Sequence, residues 1–306
     1  MISRGPDPMT DRSDQVTLVR TKYGFYQYSP LPTIEQLQQY YRDKYFQEGH
    51  GSYSVSYTQE EIAYFRLKAR LIYQKASELI DLNDRKSFID IGCGEGWVMS
   101  EFNSRNHDVS GLDFSSYGIE RFSPHLSACF EQGDIGHNLD DRIIRGMKYN
   151  VLLLANVVEH VLDPAETIDK VKQLMLPGAL LIIVAPNDFS DLHDHLLAKK
   201  YISRKFWLCY PDHLSYFNKE SMTDFLGKKG IHVEAVVADN PIDLNLLNDN
   251  SNYVQDPAKG KMTHYFRARS DNFLASIDQD KLLKIYEIFG SMGVGRDLTY
   301  YCFASS

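Results

Sequence analysis

Residues 88–97, Phe-Ile-Asp-Ile-Gly-Cys-Gly-Glu-Gly-Trp, constrain the fold more than any other stretch of the chain. A short apolar run carries one acid, Asp90, and three glycines follow at alternate positions, Gly92, Gly94 and Gly96. The pattern reads as a buried strand, a tight turn and a helix opening at Trp97. Glycine is needed there because only a residue without Cβ permits both the turn and the close approach of bare backbone to a ligand. Alone, the run narrows that ligand to something nucleotide-like.

The surrounding sequence alternates strand and helix. Strands are expected at 87–91, 108–112, 127–131, 149–155 and 180–185. One helix has Asp163 as N-cap, Pro164 at its first position and Glu166 completing a capping box. It buries Ile168, Val171, Leu174 and Met175 and ends at Pro177-Gly178. Such alternation with apolar strands implies an α/β fold, a parallel sheet covered on both faces. Upstream, Thr33 with Gln36 forms a capping box ahead of Leu37, Tyr40 and Tyr41. Thr58 with Glu61 forms another, ahead of a long amphipathic helix carrying Ile62, Phe65, Ala69, Ile72, Ala76 and Leu79. Downstream, a helix capped by Asn218 turns Met222, Phe225 and Leu226 inward, followed by strands at 231–238 and 298–304. Between these two strands a helix buries Leu282, Ile285, Tyr286 and Phe289 ahead of Gly290. This insertion is expected to cap the carboxyl edge of the sheet, where open α/β sheets bind ligands.

The expected organisation is an N-terminal helical and aromatic region over 1–85, a core over 86–239 and 294–306, and a cap over 240–293, with 188–217 adding to the substrate side. Met1 to Pro8 reads as vector sequence ahead of a native start at Met9. The chain has 306 residues, 43% of them apolar, and a formal charge of -8. That length supports a sizeable core, and the acidic balance gives no field to steer nucleic acid. No apolar run is long enough for a membrane span, and no leader peptide is visible. Cys93, Cys129, Cys209 and Cys302 lie far apart with no Cys-x-x-Cys pair, so a cytoplasmic, reducing compartment is expected and a cysteine zinc site is not.

The spacing of the opening motif decides between nucleotides. A dinucleotide fingerprint places its third glycine one residue later, where this chain has Trp97, and a phosphate loop needs a Gly-Lys-Ser/Thr that is absent. Asp-x-Gly-x-Gly-x-Gly, with Asp113 ending Val-Ser-Gly-Leu-Asp, Asp134 in Gln-Gly-Asp-Ile, and Asn-Val-Val-Glu-His-Val-Leu-Asp-Pro at 156–164, resembles the class I S-adenosylmethionine (SAM) methyltransferases. Glu-His-x-x-Asp-Pro is similar to the signature of their ubiquinone-type, small-molecule branch. The N-terminal Tyr-Gly-Phe-Tyr and Pro-Thr-Ile-Glu-Gln-Leu-Gln-Gln-Tyr-Tyr resemble the leader of methyltransferases found with surface-polysaccharide genes. Two positions depart from the pattern: Asn150 stands where Asp is usual, and Ala179 replaces the second glycine of Pro-Gly-Gly.

The resemblance implies a seven-stranded Rossmann-like sheet and SAM as cofactor. It implies a cofactor set of Asp90, Gly92, Cys93, Gly94 and Gly96, Asp113 with Phe114 at the ribose, Asp134 with Ile135 at the adenine, and Asn156 at the methionine end. Glu159-His160 is expected to cap or to order backbone beside the methionine moiety, and Trp97 to pack in the core. Tyr-Pro-Asp-His-Leu-Ser-Tyr-Phe at 210–217 resembles a stretch of the deoxysugar 3-C-methyltransferases, which implies His213 as base, Asp212 as its partner and Tyr210 as a substrate contact. His193 and His195 form a rival pair, and no metal site is expected. The expected substrate is a small polar molecule, a nucleotide-linked or polysaccharide sugar methylated at oxygen or carbon. Alternatives are a quinone or natural-product O-methyltransferase and a non-catalytic SAM-binding partner. Nucleic acid is not expected, since Ala155-Asn156-Val157-Val158 lacks a base-flipping motif. The oligomeric state is left open, with a homodimer among the options.

Overall fold

The structure, a computed structural model, describes residues 16–37, 39–40 and 56–305. The opening residues 1–8 and Tyr41 lie outside the described residues. Seven strands form one sheet: β3 (Ser87–Ile91), β4 (Asp108–Asp113), β5 (Phe130–Gln132), β6 (Tyr149–Ala155), β7 (Met175–Pro186), β9 (Ile231–Ala238) and β10 (Asp297–Ala304). Their order is β5-β4-β3-β6-β7-β10-β9. β10 runs antiparallel to both β7 and β9, and the pairs among β3 to β7 are parallel. The sequence order reverses direction beside β3, which places a crevice at the carboxyl ends of β3, β4 and β6.

Period-two alternation assigns each strand residue to a face. Ile89, Ile91, Leu152 and Leu154 pack with α4 (Ile135–Ile144), α5 (Pro164–Gln173) and α7 (Lys219–Lys228). Phe88, Val151, Leu153 and Ile182 pack on the other face with α1 (Gln59–Leu79), α2 (Trp97–Ser104) and α8 (Gly260–Met292). The capping boxes at Thr58–Glu61 and Thr33–Gln36 are both formed.

Several local expectations are corrected. Residues 124–129 form 3-10 turns, and the strand that follows starts only at Phe130. α5 stops at Gln173, and Pro177-Gly178 lies near the start of the long strand β7, at a register shift in the pairing with β6. A strand irregularity can absorb Pro and Gly where a regular ladder cannot. Asp163 alone caps α5, accepting from the Ala165 and Glu166 amides, while the Glu166 side chain pairs with Lys170 at 3.0 Å. The first region also holds a hairpin that helix patterning did not suggest, β1 (Thr17–Arg20) with β2 (Tyr26–Ser29). β2 adds β8 (Ser215–Tyr216) as a third strand. Short strands whose partner lies far along the chain carry little local signal. This sheet ties the 210–217 stretch to the N-terminal segment.

α8 is two helices joined at a kink, where Asp278 has φ -164° and ψ 101°. Its first half packs along α1, with Arg269 paired to Glu60 and His264 to Glu61. Its second half buries Leu282, Leu283 and Tyr286 on the sheet, so it covers a face rather than the carboxyl edge; Ile285 is exposed. Gly290 lies inside the helix, and a Cβ there would stand 2.3 Å from the Val236 carbonyl oxygen. Helix propensity alone favours Gly290→Ala by about 1 kcal/mol. The backbone contact reverses the sign: the substitution is expected to destabilise by about 2 kcal/mol, as overpacking does, seen as a lower urea midpoint at unchanged slope.

Candidate active site

The glycine turn is held by β4. The Gly92 and Cys93 amides both donate to the Leu112 carbonyl, at 2.7 and 2.9 Å, and the Gly94 amide donates to Asp113 Oδ2 at 2.9 Å. Gly92 has φ 76°, and a Cβ there would lie 2.4 Å from Val157 Cγ2. Gly96, at φ 74°, opens α2, and its missing Cβ makes room for Ile119 at 2.7 Å. The turn, the end of β4, the start of α4 and the loop after β6 surround a cavity of about 780 Å³. Small-molecule sites span roughly 300–1,000 Å³.

Of the residues expected at the cofactor, Asp90, Gly92, Cys93, Gly94, Asp113, Phe114, Asp134, Ile135 and Asn156 line this cavity; Gly96 does not. Asp90 is 3% exposed, and its Oδ1 has no hydrogen-bond partner among the described residues. Burial, with Asp113 beside it, pushes its carboxyl up to about 8. A buried carboxyl with an orphaned oxygen fits a cationic group such as the ammonium of an amino acid. Asp113 is also raised by burial, although three backbone amides, those of Ser115, Gly94 and Phe114, oppose the rise. Asp134 serves as N-cap of α4, accepting from the His137 amide at 2.9 Å. Asn156 adopts φ 55°, an unusual backbone for a residue with Cβ, at the mouth of β6. Cys93 is buried and its thiol is raised by desolvation.

The lining also includes His160, Val161, Leu162, Asp163 and Asp212, with Ile34 and Leu37 from the N-terminal segment. Asp212 is there, but His213 and Tyr210 do not line the cavity. His213 lies behind His160, their rings 4.8 Å apart and nearly perpendicular. Burial, with His160 adding to it, pushes its imidazolium down to about 4, so the ring is neutral. Tyr210 packs edge-on against Tyr28 at 4.9 Å. His193 is elsewhere, buried against Trp207 at 4.2 Å and bonded to Asp243 at 2.9 Å, and His195 stacks on Tyr201. From 188–217 only Asp212 lines the cavity, and no residue of 240–293 does, among the described residues.

One residue differs from its expected role. Trp97 lines the cavity instead of packing in the core. Its ring stacks on Phe65 and its Nε1 donates to Glu95 at 2.5 Å. Glu159 and His160 order backbone as expected: the Glu159 main-chain carbonyl accepts from Leu214 and Ser215, and His160 Nδ1 donates to the Asp212 carbonyl at 2.6 Å, which brings the 210–217 stretch to the site. Gly118 had no sequence signal, yet a Cβ there would sit 2.3 Å from the Gly94 carbonyl and push on the turn.

A family model described as "Methyltransferase domain" matches residues 59–236, more than half of the chain. A protein of Mycolicibacterium smegmatis named "Probable S-adenosylmethionine-dependent methyltransferase" is 25% identical over 187 residues, 60% of this chain and 65% of that protein. A ubiquinone biosynthesis O-methyltransferase of a Caulobacter species is 32% identical over 104 residues, 32% of this chain and 40% of that protein. The chain thus spans less than two thirds of the length of these curated relatives. In fold it is similar to the 1,6-didemethyltoxoflavin-N1-methyltransferase of Burkholderia thailandensis, solved with S-adenosylhomocysteine. There the TM-score is 0.52 at 11% identity, covering 95% of this chain and 96% of that one. The strand-turn-helix cradle, the acids at its rim and the family match over 59–236 agree: the chain belongs to the methyltransferase-domain family.

Proposed function

We propose that this protein transfers a methyl group from SAM to a hydroxyl of a small, polar acceptor such as a sugar. The observation that carries the reading is that one cavity is lined both by a glycine turn with two buried carboxylates and by His160 with Asp212. Asp90 would hold the ammonium of the cofactor, Asp113 its ribose hydroxyls, and the Asp134–Ile135 corner its adenine. Bound SAM supplies an electrophilic methyl, so that the acceptor oxygen's electron pair forms the new C–O bond while the C–S pair leaves with sulfur. The chain's own residues supply alignment, which accounts for much of the rate in such displacements. They also supply a destination for the hydroxyl proton, the group formed by His160 and Asp212 with His213 behind them.

The lining is rich in acids: Asp134, Asp140, Asp163, Glu166 and Asp212. Its one lysine among the described residues, Lys170, is tied to Asp140 and Glu166 at 2.9 and 3.0 Å. That balance favours a neutral acceptor over one bearing a diphosphate, which narrows the sugar reading to the unlinked or polysaccharide form. A second reading is methylation of a quinone-type phenol. It draws on the apolar Ile34, Leu37, Val161 and Leu162 of the same lining and on the name of the Caulobacter relative. The described residues contain no helix long and apolar enough to cross a membrane.

S-adenosylhomocysteine release measured with free hexoses and deoxyhexoses, and in parallel with catechol, separates the two acceptor classes. With whichever class turns over, His160→Ala is expected to lower kcat by about 10²–10⁴-fold, the usual contribution of proton transfer, while calorimetric binding of S-adenosylhomocysteine is retained. Unchanged kcat in that variant would remove His160 from the reacting end. The raised Asp90 carboxyl gives a pH test. The ligand ammonium selects its ionised form, so binding expels a proton and the affinity rises by up to about tenfold per pH unit as pH climbs towards 8. Calorimetry of Asp90→Asn should show weaker binding without that slope.

A further inference from the structure

Apolar side chains on the surface of a folded chain are normally scattered singly. In this chain half of them sit on one helix. Of sixteen large apolar side chains exposed among the described residues, eight belong to α8. Before the kink at Asp278 they form a line. Met262, Phe266, Phe273 and Ile277 are each 61–67% exposed. At about 100° per residue, these four positions fall within about 60° of arc on the helix. Ala268 and Asp271, on the far side of the helix, are buried. The line therefore points away from the core of its own chain.

The line is complementary to itself on reversal. Met262 and Ile277 are centred between residues 269 and 270, and so are Phe266 and Phe273. The flanking charges share that centre: Lys261 with Asp278, and Lys259 with Asp280. A second copy laid antiparallel across a two-fold axis at this point meets ring with ring, aliphatic with aliphatic and lysine with aspartate. An isologous contact demands such self-complementarity, because one patch must suit itself. Arg269, beside the axis, is held aside by Glu60 of its own chain at 2.8 Å. With the exposed Lys261, Arg269, Leu274 and Asp280, the face presents on the order of the ~800 Å² that each partner of a standard interface buries. Its flanks carry both signs, unlike the basic face that an anionic lipid surface attracts.

We propose that this face is a homodimer interface. Two copies pack the first halves of α8 antiparallel about a two-fold axis beside Arg269, with Phe266 against the partner's Phe273 and Met262 against the partner's Ile277. Helices packed at roughly 8–10 Å bring such side chains into contact. The paired rings anchor the centre of the contact, and the lysine–aspartate pairs at its two ends fix orientation and register. No residue of 240–293 lines the cavity among the described residues, so each copy keeps its cavity complete.

Sedimentation velocity of the full chain over a dilution series tests the proposal, with far-UV circular dichroism as the control for folding. A monomer–dimer equilibrium is expected for the wild type. Phe266→Glu sets a carboxylate against the partner's Phe273 at both symmetric positions, and should weaken association by at least ~30-fold, as loss of an interface anchor does. Phe266→Glu combined with Phe273→Lys places opposite charges across the axis and should recover part of that loss. A wild type that stays monomeric throughout the series, or an equally strong dimer in folded Phe266→Glu, overturns the interface. A dimer lost in Phe266→Glu and not regained in the folded double variant overturns the antiparallel register. Flotation of a monomeric wild type with phosphatidylcholine–phosphatidylserine vesicles overturns the proposal in favour of a lipid surface.

Discussion

The site depends on one junction, where two successive amides of the glycine turn donate to the Leu112 carbonyl at the end of β4. A residue with a Cβ at Gly92 would drive Val157 away, so the turn and the loop after β6 are packed as one piece. The same junction lets Asp113 reach across to the Gly94 amide and brings it beside Asp90. Two carboxylates placed side by side in a dry crevice are unfavourable without a ligand. That arrangement persists because the backbone around them is fixed by the sheet, and under the proposed function it turns an electrostatic liability into selection for a cationic, hydroxyl-bearing molecule.

The rest of the lining follows from a different long-range contact. The Glu159 carbonyl accepts from Leu214 and Ser215, β8 pairs with β2, and Gln27 Nε2 donates to Ser215 Oγ at 3.1 Å. These bonds carry Asp212 to the cavity and set His213 behind His160. A buried charge network, Arg296 with Asp188 and Asp243, and Lys68 with Asp239, fastens the remainder of the carboxyl edge to the core. Through Asp243 that network ties the start of the inserted stretch to Arg296, ahead of β10, and no described residue of 240–293 lines the cavity.

Legibility followed the range of the interaction. The β3-turn-α2 unit, the helix caps at Thr58 and Asn218 and the order of the core strands could be read because glycine, capping and period-two signals act over a few residues. Asp113 and Asp134 were readable through their places at strand ends. The β1–β2 hairpin was not, since its strands are short and its third partner, β8, lies near residue 215. Pro177-Gly178 resembled a helix stop, and only the pairing of β7 with β6 shows a strand irregularity. Which of these histidines lines the cavity could not be read from spacing. His160 and His213 are set by how the 210–217 stretch docks, and the sequence pattern favoured the one that the fold buries. Trp97 was misplaced for a related reason: packing of Phe65 and Phe122 against it decides which side of its ring meets the cavity.

The central claim is that one cavity holds the cofactor against Asp90 and Asp113 and directs its reactive end to His160 and Asp212. A crystal structure of the full chain with S-adenosylhomocysteine tests it most directly. The account predicts the ribose hydroxyls on the Asp113 carboxylate, the ammonium beside Asp90 and the sulfur facing His160. A ligand bound outside this cavity, or one whose sulfur points away from His160 and Asp212, would contradict it.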